Sequence, residues 1–228
     1  GEISPDAIEG IDGELRLRFS RPATITPDTT AYGELFAVGL DEPDYRQAEF
    51  GAEIGALHQA TPQLEYGVGL GIQTTVIEDA FGERRANLLT LPTEVTWDNR
   101  DVPLDPTTGI YAAGTATPFV TDGGGAGARV AVDARGYLSF GPEDRTILAA
   151  RIQAGSLLGG DVDDLPPDFL FWSGGSGTVR GQEYASLGAP QNGMDSGGRG
   201  FLGFSGEIRQ QIGDTNFGVV GFADVGLV

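Results

Sequence analysis

From residue 64 the chain alternates without a break: Leu64, Tyr66, Val68, Leu70 and Ile72 against Glu65, Gly67, Gly69, Gly71 and Gln73. Successive side chains of an extended strand point to opposite faces, so this is a strand with one apolar and one polar face. The same period runs through the chain. Leu15, Leu17 and Phe19 oppose charged neighbours, Phe50, Ala52 and Ile54 oppose Glu49, Gly51 and Glu53, and Leu202, Phe204 and Ile208 oppose Ser205, Glu207 and Arg209. No stretch of useful length carries the 3.6-residue period of a helix. Ten strands are predicted, at about 14–20, 31–40, 49–54, 64–73, 89–97, 109–120, 128–140, 146–158, 202–209 and 217–228. Segments 41–47 and 79–87 read as polar loops, and Ala60-Thr61-Pro62-Gln63 as a tight turn.

Strand length selects the architecture. Strands of soluble sheets centre on about 5–6 residues. Most of these run about 10–13, and about 9–11 suffice to cross a bilayer at the usual tilt. The polar face carries Arg, Glu, Asp, Gln and many of the 37 glycines, which suits a water-filled lumen. No apolar run approaches the roughly 18 residues of a membrane helix, a test that barrels evade because their apolar face is hidden in alternation. The fold class expected is therefore all-β, an antiparallel transmembrane β-barrel. A soluble all-β binding protein shares the period, and detergent dependence separates the two. The chain begins at Gly1 and stops at Val228 inside an alternating run, so 1–228 reads as part of a longer barrel. Leu89, Leu91, Val95, Val130, Val132, Leu202, Phe204 and Ile208 are expected to face lipid. Glu94, Arg129, Asp133, Arg135, Glu207 and Arg209 are expected to face the lumen.

Composition removes several function classes. The net charge is -19, and all 14 bases are Arg, so no basic stripe is available for nucleic acid. Without Cys there is no disulfide, thiolate metal site or Cys nucleophile, and a single His58 supports no His-based centre. Asp161, Asp163, Asp164 and Asp168 lack the spacing of a calcium loop and read as a solvated face. The glycines from Gly123 to Gly127 precede a strand, not the helix that a dinucleotide fingerprint requires. Ser176 and Ser205 sit in no nucleophile elbow. No catalytic residue, metal or cofactor is expected.

The longest non-periodic segment runs from about 159 to 200 and holds Phe171-x-x-Gly174-Gly175-x-x-x-Val179-Arg180-Gly181. Loops this long are usually functional or disordered. Arg is always charged and offers a rigid fork to carboxylates. Two later strands supply them, Glu207 and Asp224, the latter sharing parity with Val220 and Phe222. By itself the residue also fits a solvated loop arginine.

This motif, followed by Phe222-Ala223-Asp224-Val225-Gly226, resembles the bacterial surface antigen family of outer-membrane barrels, which assemble other barrels or secrete proteins. The turn from Trp97 to Gly109, with Asp98, Arg100, Asp101, Pro103 and Pro106, is similar to that family's turn between mid-barrel strands. Leu165-Pro166-Pro167 and the stretch 188–200 look most like its translocation and assembly module branch, the TamA branch. Gln182 departs from the aromatic usual after Arg-Gly. The resemblance covers most of the chain, strongest over 97–228. It implies a barrel of roughly sixteen strands, about three of them missing at each end here, with periplasmic domains also missing. It implies an inward-folded loop with Gly174, Gly175, Val179, Arg180 and Gly181 at its tip and Glu207 and Asp224 as inner-wall partners. It further implies residence in the bacterial outer membrane among lipids, client outer-membrane proteins such as autotransporters, and a periplasm-spanning partner subunit. A two-partner secretion pore and the central barrel-assembly subunit are the alternatives within the family.

Overall fold

A computed structural model describes residues 12–191 and 194–228. Its strands are β1 (Gly13–Arg21), β2 (Thr29–Glu42), β3 (Tyr45–Thr61), β4 (Leu64–Asp79), β5 (Gly82–Thr90), β6 (Thr93–Asp98), β7 (Gly109–Thr121), β8 (Ala126–Phe140), β9 (Thr146–Gly159), β10 (Ala189–Gln191), β11 (Met194–Ser196), β12 (Gly200–Gln211) and β13 (Gly218–Leu227). Eleven of them form one antiparallel sheet in chain order, and β10 and β11 pair apart from it.

The sheet has the ten positions expected, but the fifth is two strands. β5 and β6 both lie between β4 and β7. Pro92 separates them because it has no amide hydrogen to give the ladder. The break stays inside the sheet: Gly69 N donates to Pro92 O at 2.8 Å and Leu91 N to Pro118 O at 2.9 Å. Segment 79–87, expected as a charged loop, is mostly strand, as is 41–47. The polar residues there mark strand ends that run past the apolar belt, and the hairpins shrink to two residues, 43–44 and 80–81. β3 is accordingly 17 residues long, more than the alternation alone indicated.

Register fixes the faces. Leu17 pairs with Leu35, Leu35 with Ala52, Ala52 with Ile72 and Ile72 with Leu89, so these share one face. Val132, Ala154, Leu202 and Leu227 continue it. This face stays exposed, with Ile54 at 64% and Leu17 at 62%. Glu94, Arg129, Asp133, Arg135, Glu207 and Arg209 fall on the other face, as parity indicated.

The sheet curls around the segment formed by residues 160–191 and 194–199. Tyr45 on β3 stacks with Trp172 at 5.4 Å, and Arg180 reaches Asp224 on β13. On a flat sheet the seven strand spacings between β3 and β13 would separate those contacts by about 34 Å. Eight residues span at most about 27–29 Å fully extended, and these eight are folded into turns. The face that meets the segment is thus concave, the lumen wall. Among the described residues β1 and β13 each pair on one side, so the sheet is open.

Candidate functional site

The inward segment is seated at its root by apolar packing. Leu165, Leu170 and Phe171 join Ile77, Ala86, Leu88, Phe119 and Leu157 of the inner wall in one buried cluster. Pro166 and Pro167 shape the approach: Pro167 opens a short 3-10 turn through Phe169, where its fixed φ suits the first position. Irregular backbone leaves carbonyls unpaired, and buried carbonyls need donors. Wall arginines supply them. Arg84 donates to Asp163 O at 2.6 Å and Leu165 O at 2.9 Å, and Arg129 to Phe169 O at 2.9 Å. Arg199 caps Gly160 O at 2.7 Å and Gly159 O at 2.8 Å. Asp163 thus contributes its backbone oxygen, and 123–125 forms an internally bonded hairpin turn in which Gly125 N donates to Thr121 Oγ1 at 3.0 Å.

Beyond the root the chain folds on itself. Ser173 bridges Leu187, and Gly175 bridges Val179. Thr178 Oγ1 accepts from Gly174 N at 2.8 Å and donates to Gly174 O at 3.0 Å. Gly174, Gly175 and Gly181 have positive φ, which L side chains rarely adopt. Gly177 does not, and a Cβ there would meet nothing within 4 Å. Its carbonyl is what matters: Arg151 on β9 donates to Gly177 O at 2.7 Å.

At the tip, Arg180 uses four donors on two acids. Its backbone N and Nε donate to Asp224 Oδ2 at 3.0 and 2.8 Å, and Nη2 donates to Asp224 Oδ1 at 2.9 Å. Nη1 donates to Glu207 Oε2 at 2.6 Å. The guanidinium lies 3.8 Å over the Phe222 ring, adding a cation–π contact. These bonds to carboxylates hold the Arg180 pKa above its ordinary value. The Asp224 side chain is 2% exposed and that of Arg180 30%, so the pair is sealed on the wall side and wet on the lumen side. Val179 packs over Gly226, where a Cβ would lie 2.7 Å from Val179 Cγ2.

The structure therefore brings Arg180, Glu207 and Asp224 together and places Gly174, Gly175 and Gly181 in the turns that carry the tip. Alternation put Arg129 on the inner face without showing that it caps the segment's backbone. Arg84 and Arg151 gave no sign of binding it, and neither did the wall glycines Gly155 and Gly226 that make room for it. Their parity was the available signal. Among the described residues, the arrangement holds no nucleophile–base pair. It is a charge-assisted clamp between an inward loop and two adjacent strands.

A family model for the Omp85 superfamily domain matches residues 9–228. No curated protein matches the chain in sequence. Among solved structures, BamA from Haemophilus ducreyi lacking POTRA domains 1-3 aligns with a TM-score of 0.79 at 17% identity, over 93% of this chain and 49% of that one. CdiB from Acinetobacter baumannii aligns with a TM-score of 0.54 at 12% identity, over 94% of this chain and 40% of that one. The chain spans half or less of the length of these structures, and at such identities the likeness is one of fold, part of a larger antiparallel barrel.

Proposed function

The chain belongs to the Omp85 superfamily of bacterial outer-membrane β-barrels, and from that premise we propose that it is the barrel of a protein that helps insert or secrete other outer-membrane proteins, of the translocation and assembly module type. The observation that carries this reading is the clamp of Arg180 on Glu207 and Asp224. A segment fastened to the lumen wall at root and tip does not suit a passive pore. It suits a barrel whose wall is braced from inside while client strands are handled at its edge. Membrane lipids, client barrels such as autotransporters, and a periplasm-spanning subunit are the partners of this role. The motif residues at 165–167 and 188–200 are what favour the module branch. The role involves no catalysed covalent chemistry.

The test is reconstitution of the full-length protein in liposomes with urea-denatured client barrels, read as protease-resistant folded client. Acceleration of autotransporter barrels is expected, and Arg180→Ala is expected to slow it while leaving the protein in the membrane. Secretion of one dedicated soluble substrate, with no effect on any barrel, would replace this reading with a two-partner secretion pore. Equal acceleration of all barrels would point to the central assembly subunit.

A further inference from the structure

The turn 99–108, between β6 and β7, holds itself rigid. Arg100 grips Asp98 through Nε at 2.9 Å and Nη2 at 2.7 Å, and donates to Pro103 O at 2.9 Å. Asp101 accepts from Thr107 N at 3.0 Å, Thr107 Oγ1 at 2.6 Å and Thr108 N at 3.1 Å. Gly109 closes the turn at φ +106°, where a Cβ would lie 2.7 Å from Arg100 Cα.

The turn leans inward. The Arg100 guanidinium sits 4.7 Å over the ring of Tyr111, an inner-face residue paired with Arg135. Farther along, Asp105 Oδ1 accepts from Arg209 Nη1 on β12 at 3.2 Å. β8 and β9 lie between β7 and β12, so this contact skips three strand spacings, about 14 Å along the wall. The turn therefore reaches over the mouth of the lumen opposite the root of the inward segment. Arg209 also donates from Nε to Glu207 Oε1 at 2.6 Å, and the other Glu207 oxygen takes Arg180. The result is one alternating series: Asp105, Arg209, Glu207, Arg180, Asp224.

We propose that the turn 99–108 is a strap across this mouth, and that its seating on β12 is coupled through Arg209 and Glu207 to the seating of the loop tip. Glu207 is the shared element. Each of its oxygens serves one arginine, so Arg209, held at its far end by Asp105, fixes the carboxylate that receives Arg180. Arg180 in turn fixes the same carboxylate for Arg209, and its departure loosens the Arg209 seat under Asp105. Coupling of this kind is reciprocal. Arg209 and Asp105 are positioning residues here, and the inference goes beyond the proposed function without depending on it.

The test uses the full-length protein in outer-membrane vesicles, with a single cysteine at Ser176 on the exposed tip and a water-soluble maleimide. Asp105→Asn and Arg209→Gln are each expected to raise the labelling rate about two- to fivefold, the upper part of what an exposed ion pair contributes. The double variant is expected to match the larger single effect. Gly109→Ala, which unseats the strap without touching a charge, is expected to do the same, and Arg180→Ala to speed labelling of a cysteine at the buried Pro106. Unchanged Ser176 labelling in Asp105→Asn overturns the proposal, as does a double variant equal to the product of the singles. Asp105 is exposed and its replacement leaves the backbone alone, so that arm decides even when Gly109→Ala fails to reach the membrane. Client assembly is not read, so failure here leaves the proposed function standing, and the reverse also holds.

Discussion

The ring of Phe171 occupies the space where residue 155 would carry its Cβ: an alanine there would place that atom 2.1 Å from Phe171 Cε1. Phe171 anchors the root of the inward segment, and Arg129 lies over the ring with its guanidinium 4.3 Å from the centroid. A glycine in the middle of β9 weakens that strand, and the gain is a socket for an aromatic ring. Gly155→Ala is therefore expected to expel the ring, at about 1–3 kcal/mol, the usual cost of overpacking. Limited proteolysis of the full-length protein should show cleavage between 160 and 199 that the parent resists. Adding Phe171→Leu to Gly155→Ala should restore part of the resistance. Unaltered proteolysis in Gly155→Ala would show that the socket does not hold the segment.

The two acids of the clamp are unequal. Asp224 receives three of the four bonds from Arg180 and is nearly buried, whereas Glu207 receives one and shares itself with Arg209. Asp224→Asn is expected to loosen the tip more than Glu207→Gln. Bonds to charged groups are worth about 1.5–3 kcal/mol. The wet side of the pair lowers the total for Asp224 to about 1–3 kcal/mol, below the figure for a fully buried pair. Arg180→Lys keeps the charge but not the fork, so it should restore only part of the tip's protease resistance relative to Arg180→Ala. A Glu207→Gln effect larger than that of Asp224→Asn would reverse the ranking.

Faces can be tested residue by residue. Cysteines at Leu89, Val95, Val132 or Phe204 should react with lipid-soluble maleimide, and those at Glu94, Asp133 or Arg135 with water-soluble reagent only. A strand slipped by one residue would invert its whole set. Val132→Arg should hinder insertion, because a charge on the lipid face costs about 2–4 kcal/mol at mid-membrane.

The turn 99–108 should loosen in acid. The Thr107 hydroxyl, with the amides of Thr108 and Thr107, holds the Asp101 carboxyl below its ordinary pKa. A depressed folded value stabilises the turn fully above the unfolded pKa, about 3.9 for Asp. That stabilisation is lost as pH falls from there toward the folded value. Protection factors at the Thr107 and Thr108 amides, with the intrinsic pH dependence of exchange divided out, should therefore stay level from pH 7 to about 5 and fall below about 4. Asp101→Ala should give the low protection already at pH 7. Equal protection in parent and variant would detach the turn's rigidity from this carboxylate.

Alternation by itself determined the all-β class and which residues share a face, because side chains of a strand project at a period of two whatever they pack against. It placed the ten positions of the sheet and the parity of Asp224 with Phe222 and Val220. Strand ends were less legible: 41–47 and 79–87 are polar because they continue past the apolar belt, not because they are loops. The split of β5 from β6 followed from Pro92, whose missing amide breaks a ladder only where a neighbour needs it. What only the tertiary structure decided is the set of contacts made across the lumen. Arg129 and Arg151 look like any polar-face residues of their strands, and Gly155 like a weak point in one. Their work depends on an irregular segment that curvature alone brings within reach, with carbonyls to cap and a ring to seat. The link from Asp105 to Arg209 has the same origin. It joins residues 104 positions apart in sequence, and no local period reports how far a sheet has curled.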